Sequence, residues 1–263
     1  TIIDDASTII QKTEQSFDNI KIKTLRLINN LGSQRAINIG LRYLNEKKID
    51  FDYCIIMDSD GEDKPEDISK LVEECAKRKK IIFAKRNKRN ETFFFKFLYF
   101  IYKISFKILT KEQIDFGNFS CVPAAHIKKL VDLDDIDLHY AASIVKSKLK
   151  FEKILCDKGP RYYGNTKLKF NKHLLHGLIS LSLFSEIIAV NTFFTSIVSM
   201  FTLTLGAVLV LVMKIFLNIA LLGWTSIILI SLFILFIIFF LLSMFSLIIL
   251  LNKNNYSSNS KIL

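Results

Sequence analysis

Asp58 and Asp60 stand two residues apart in the run Asp52-Tyr-Cys-Ile-Ile-Met-Asp-Ser-Asp-Gly-Glu-Asp-Lys-Pro-Glu66. The apolar stretch Tyr53–Met57 reads as a buried strand closed by turn residues. Two carboxylates at such a strand end repel one another unless a cation lies between them. A hard divalent ion, Mg²⁺ or Mn²⁺, suits oxygen ligands of this kind and keeps positions for water and substrate phosphate. The other reading is an acidic strand-to-helix turn, in which Asp63 or Glu66 serves the next helix N-terminus. The stretch alone leaves both open.

The elements that would position these residues follow from pattern. Thr1–Ile3 closes a strand, and Asp4 to Thr8 is a helix-capping type of turn. Ile20–Leu27 alternates as a strand, and a helix runs from Gly32 to about Glu46 with Ala36, Ile39, Leu41 and Leu44 on its apolar face. Tyr53–Met57 is followed by a helix over Pro65–Lys79 and a strand over Ile81–Ala84, which ends in Lys85-Arg86-Asn87. Strands alternating with helices predict an α/β domain with a mixed, mostly parallel sheet and helices on both faces. Ligands of such sheets bind at strand carboxyl ends, where Asp4, Asp5, Asp58, Asp60 and Arg86 all lie, so these ends are expected to converge on one crevice.

Charge divides the chain. Of 263 residues, all 25 Asp and Glu lie at or before Glu186, and beyond it the charged residues are Lys214, Lys253 and Lys261 alone. The net charge of +11 suits an anionic partner such as nucleotide phosphate or a lipid surface. Residues 187–213 and 219–251 are almost continuously apolar, and each exceeds the roughly 20 residues that span a bilayer. They predict a transmembrane hairpin, which argues against nucleic acid as partner. The positive-inside rule puts residues 1–186 and the tail in the cytoplasm and Lys214 on the opposite face. Residues 91–110 carry many aromatics with Lys96, Lys103 and Lys107. They read as a helix lying in the membrane interface, against a soluble core helix as the other reading. Residues 167–186 repeat the theme, with His173 and His176 facing headgroups. Cys54, Cys75, Cys121 and Cys156 lack metal spacing and read as reduced and buried.

Taken in order, the motifs resemble glycosyltransferase family 2, and within it the polyprenyl-phosphate glycosyltransferase branch (the dolichol-phosphate mannose synthase and bactoprenol glucosyltransferase type). Asp4-Asp5-Ala6-Ser7-Thr8 resembles the family's Asp-Asp-Gly-Ser. Asn30-Leu31-Gly32, with Ala36 and Gly40, resembles its Asn-x-Gly helix. Asp58 to Glu66 resembles Asp-x-Asp-Leu-Gln-Asp-Pro-Pro-Glu. Arg86 and Arg89 sit where the family has arginines. Asp115-Phe-Gly-Asn-Phe119 resembles Asp-x-Gly-Asp-Phe, and Arg161-Tyr-Tyr-Gly-Asn-Thr-Lys167 resembles Arg-x-x-Gly-x-Ser-Lys. Glu62 replaces the usual Gln, Asn118 an Asp, and Ser120 an Arg. The family's first strand is expected to be missing, the chain being read as N-terminally truncated.

The resemblance implies a GT-A type, Rossmann-like catalytic domain over 1–165, a juxtamembrane amphipathic segment over 166–187, two transmembrane helices over 188–252 and a tail over 253–263. It implies a metal-dependent, inverting hexosyltransferase. The sugar would pass from a nucleotide diphosphate sugar to a polyprenyl phosphate at the cytoplasmic (inner) membrane, for cell-envelope polysaccharide. Asp58 and Asp60 would hold Mg²⁺ or Mn²⁺; Asp58, Asp60, Arg86 and Arg161 would be catalytic; Asp4, Asp5, Asp58, Glu62 and Lys167 would bind the donor. A homo-oligomer stays open. The alternative is an inactive or truncated paralogue acting as a non-catalytic membrane protein. A processive synthase would carry Gln-x-x-Arg-Trp, whereas the single tryptophan, Trp224, lies in an apolar stretch.

Overall fold

A computed structural model describes residues 1–8, 20–86, 93–157, 159–161, 170–217 and 223–259. The chain divides into two units, Thr1–Leu183 and Phe184–Leu263.

In the first unit, β1 (Ile2–Asp4) pairs in parallel with β2 (Thr24–Arg26). Helix α1 (Ser33–Glu46) lies against β1, close enough that a Cβ on Gly40 would come within 3.3 Å of Ile3. Gly32 precedes α1 with φ of 86°, a conformation that favours glycine. The second sheet has the order β3–β5–β4–β6, built from β3 (Tyr53–Ile56), β4 (Ile81–Arg86), β5 (Ser120–Pro123) and β6 (Phe151–Cys156). β4 and β6 are parallel, while β5 runs antiparallel to both β3 and β4. The architecture is mixed α/β, as the pattern predicts.

The Ile-Ile-Phe-Ala run of β4 is apolar at consecutive positions because both faces of the sheet are covered. On one face α2 (Asp67–Arg78) packs Leu71 and Cys75 against Ile82, Ala84, Phe119, Cys121 and Cys156. On the other, Phe83 meets Phe116, Tyr140 and Phe151, with ring centroids 4.3, 5.8 and 5.7 Å away. Tyr140 opens α5 (Tyr140–Ser147), which follows α4 (Ala124–Val131). The alternation of β4 continues to its end and sends Lys85 and Arg86 to opposite faces.

β5, α4, α5 and β6 are not assigned by the sequence pattern. β5 has four residues and α4 and α5 have eight each, too few for a period to declare itself. Strand β2 is also shorter than the Ile20–Leu27 alternation suggests.

Helix α3 (Phe93–Thr110) contacts α6 (Phe170–Ser182). Tyr102 Oη and Ser180 Oγ are 2.5 Å apart, and a Cβ on Gly177 would come within 3.2 Å of the Tyr102 ring. Phe106 is buried, whereas Phe100, Ile104 and Ile108 of α3 and Leu174, Leu175 and Leu178 of α6 remain exposed.

The second unit consists of α7 (Ser185–Leu217) and α8 (Trp224–Asn259), packed on each other. Ser185–Phe216 and Thr225–Leu250 have mean hydropathies of 2.3 and 3.2 and are long and apolar enough to cross a membrane. Among their few polar residues, Ser196, Ser243 and Ser246 are buried.

Candidate active site

The loop that follows β3 is shaped by its own carboxylates. Asp63 Oδ2 accepts the Asp58 backbone N–H at 3.0 Å, and Asp60 Oδ1 accepts that of Glu62 at 3.0 Å. Between them Gly61 takes a φ of 88°. Asp63 is therefore spent on the loop and on Arg86 rather than on capping α2. Arg86, from the end of β4, approaches Glu62 Oε2 at 3.3 Å and Asp63 Oδ1 at 3.8 Å.

The segment after β6 closes over the same loop. Gly159 donates its N–H to the Glu62 carbonyl at 2.9 Å, and a Cβ on Gly159 would lie 2.4 Å from the Gly61 carbonyl oxygen. This close approach places Arg161 so that its guanidinium reaches Asp60 Oδ2 at 2.7 Å and Glu62 Oε1 at 3.4 Å. Asp58, Asp60, Glu62, Arg86 and Arg161, which come from three separate parts of the sequence, are thus brought together.

Beside them is a crevice of about 190 Å³ lined by Asp58, Glu62, Asp63, Arg86, Asp115 and Asn118, among others. Burial, with repulsion from Asp63 and Asp60, pushes the Asp58 carboxyl up to about 6, against the pull of Arg86. Asp58 is nevertheless exposed by its accessible surface, so solvent screens part of this effect. Asp115 shows the opposite balance. Burial works to raise it, but hydrogen bonds from Lys153 and Lys85 prevail and hold it below the usual carboxylate range. Those lysines, from β6 and β4, stand 2.7 and 2.6 Å from its oxygens.

Asp4 and Asp5 do not line this crevice. Asp4 accepts the Ser7 N–H at 2.9 Å and pairs with Arg26 at 3.6 Å. Asp5 receives the N–H groups of Leu31 and Gly32, at 2.7 and 2.8 Å, where the chain enters α1. Lys167 and Arg89 lie outside the described residues. His176, read from sequence as facing headgroups, stacks on His139 with ring centroids 4.3 Å apart. Burial pushes the Cys54 and Cys156 thiols up to about 11, which leaves little thiolate at neutral pH.

Sequence reasoning named Asp63 only as a candidate for the helix N-terminus, and it missed the Lys85–Asp115–Lys153 bridge and Gly159. Gly-Pro immediately before Arg161 was the available signal for the last.

Among the described residues no three His, Cys, Asp or Glu side chains gather as a ready metal cage. Mg²⁺ is commonly held by one or two carboxylates with water and phosphate. Asp58 and Asp60 would supply two such oxygens, and Asp60 already attracts a cationic guanidinium, which fits a hard divalent ion.

Residues 1–131 match the sequence family Glycosyl transferase family 2. The chain is 25% identical over 222 residues to "Uncharacterized glycosyltransferase YkcC" of Bacillus subtilis (strain 168), covering 83% of this chain and 67% of that protein. It is 26% identical over 224 residues to "Uncharacterized glycosyltransferase sll0501" of Synechocystis sp. (strain ATCC 27184 / PCC 6803 / Kazusa), covering 82% and 67%.

Proposed function

We propose that the glycosyltransferase family 2 domain of this chain moves a hexose from a nucleotide diphosphate sugar to a polyprenyl phosphate at the cytoplasmic face of a membrane. The observation that carries this reading is the acidic loop Asp58–Asp63 held between two guanidinium groups, Arg86 and Arg161. Arg161 belongs to the stretch that leads toward α6 and the apolar helices.

In the transfer, an oxygen of the acceptor phosphate bonds to the anomeric carbon while the bond from that carbon to the diphosphate breaks. The electron pair leaves with the nucleoside diphosphate, and attack from the opposite side inverts the centre. The acceptor phosphate is already ionised, so no strong general base is required. A Mg²⁺ or Mn²⁺ ion held by Asp58 and Asp60 would supply charge neutralisation for the departing diphosphate. Arg86 offers a planar fork to a phosphate group. Arg161 trades its carboxylate partners for a phosphate when substrate arrives, and Lys167 adds charge for the lipid or diphosphate. Asp5 holds the entry to α1 in the donor half of the domain. The exposed apolar residues of α3 and α6 support these helices as interfacial, which would bring the crevice to the headgroup level where the acceptor phosphate lies.

The test is metal-dependent transfer of labelled sugar to polyprenyl phosphate by the full chain in membranes, across a panel of nucleotide sugars. Transfer with one donor, lost on chelation, is expected. Inactivity with every donor while the chain still inserts would favour the non-catalytic reading. Asp60→Ala is expected to abolish transfer and leave membrane insertion intact. Unchanged activity in that variant would remove Asp60 from the metal site.

A further inference from the structure

We infer that Asn118, held in one orientation by Gln34, presents its Nδ2 amide as a neutral hydrogen-bond donor to a phosphate oxygen in the crevice. This rests on the proposed nucleotide-sugar reading and names a residue that reading does not use.

The orientation follows from a backbone group that has only one way to bond. The Tyr140 N–H can only donate, and it meets Gln34 Oε1 at 2.6 Å. That fixes the Gln34 amide with Nε2 on its other side, where it meets Asn118 Oδ1 at 3.3 Å. Asn118 Oδ1 is thereby engaged, and Nδ2 is the polar atom left to the crevice that Asn118 lines. The backbone of Asn118 is fixed as well. Ser120 Oγ donates to the Asn118 carbonyl at 2.9 Å and stands 2.9 Å from the hydroxyl of the fully buried Tyr140. Main chain and side chain are therefore both ordered before any ligand arrives, which lowers the entropy lost on binding.

The crevice wall selects the ligand atom. Asp58, Glu62, Asp63, Asp115 and Asp157 already line it, with Arg86 as the counter-charge. A carboxylate at position 118 would add repulsion toward any phosphate and could only accept a hydrogen bond. The amide carries no charge and donates instead, so it suits an oxygen that can only accept, which in the proposed reaction is an ionised phosphate oxygen. The phosphate is that of the nucleoside diphosphate or of the polyprenyl acceptor. Gln34 is a positioning residue, and Asn118 is the one that touches the ligand.

Two nearly isosteric variants test this in the full chain in detergent. Asn118→Asp removes the donor. Gln34→Glu still accepts from the Tyr140 N–H but cannot donate to Asn118, so Nδ2 turns toward Glu and Oδ1 faces the crevice. Calorimetry measures two probes, nucleoside diphosphates with Mn²⁺ and a short-chain polyprenyl phosphate, beside the thermal midpoint of each variant. Both variants are expected to lose at least about tenfold in affinity for the same one of the two probes, while their midpoints stay within about 2 °C of wild type. The probe affected identifies whose phosphate is bound. Wild-type affinity for both probes in Asn118→Asp overturns the inference. Loss in Asn118→Asp without loss in Gln34→Glu overturns the orienting role of Gln34, and weakened binding of both probes with a lowered midpoint reduces Gln34 to a structural part. If the wild type binds neither probe, the inference falls together with the proposed function. Wild-type binding with unaffected variants sinks the inference alone.

Discussion

His139 caps α5 with its imidazole, whose Nδ1 accepts the Ala142 N–H at 3.2 Å, and this role needs the neutral ring. Burial, with the stacked His176, pushes its proton affinity down to about 3 from an ordinary 6.5. Between those values the unfolded chain carries a proton that the folded chain refuses. Stability is therefore full above about pH 6.5 and falls as the pH drops toward 3. His139→Asn keeps a capping oxygen and removes the titration. It is expected to abolish about 1 kcal/mol of the acid destabilisation seen at pH 5.5, measured as the difference in unfolding free energy between pH 7.5 and 5.5. An acid limb unchanged in the variant would assign the sensitivity elsewhere. Ser120 is informative at the same scale. Where the resembling motif has an arginine, this chain buries a hydroxyl completely and bonds it to Tyr140 and Asn118, so the position serves the loop from within.

At the scale of elements, the acidic loop and the segment after β6 form one unit through a backbone approach that only glycine permits. Gly159→Ala would drive a methyl group into the Gly61 carbonyl. It is expected to destabilise the first unit by about 1–3 kcal/mol and to free Asp60 from Arg161, read by thermal unfolding and by tighter Mn²⁺ binding at Asp60. A midpoint equal to wild type would show that the segment is not docked in solution. Helices α1 and α2 were legible because each repeats its pattern over three turns or more, and β3 and β4 because each is a continuous apolar run closed by charged or turn residues. β5 was not, since Ser-Cys-Val-Pro has no alternation to read and its place between β3 and β4 is set by pairing with residues far away in sequence. Strand ends led to the expectation that Asp4, Asp5, Asp58, Asp60 and Arg86 converge, of which Asp58 and Arg86 line the crevice and Asp4 and Asp5 do not, while Arg161 was named only through the motif resemblance. The siting of Asp5 at the entry to α1 came from local backbone hydrogen bonding, which strand-end reasoning does not see.

At the scale of the molecule, the charged and the apolar parts correspond to separate units, Thr1–Leu183 and Phe184–Leu263. If the apolar helices span a bilayer with the basic unit in the cytoplasm, the polar break between them lies on the far side. In sealed vesicles Lys214→Cys is then expected to react with an impermeant maleimide from the non-cytoplasmic side alone. Cys75, Cys121 and Cys156 are buried, and the half-buried Cys54 is replaced by serine in the background, so that labelling reports position 214. Labelling from the cytoplasmic side would overturn the topology.

Composition and spacing by themselves determined the division into a charged α/β part and an apolar pair of helices, and they marked Asp58 and Asp60 as a carboxylate pair that invites a cation. Those properties are local: a run of apolar residues or two acids at a strand end carries its physics within a few neighbours. Tertiary structure alone decided that Arg161 occupies Asp60, that Gly159 makes this contact sterically possible, and that a backbone N–H on α5 orients Gln34 and through it Asn118. Each of these depends on atoms within about 3 Å of one another, the range over which hydrogen bonds and steric exclusion act, yet contributed by residues far apart in the chain.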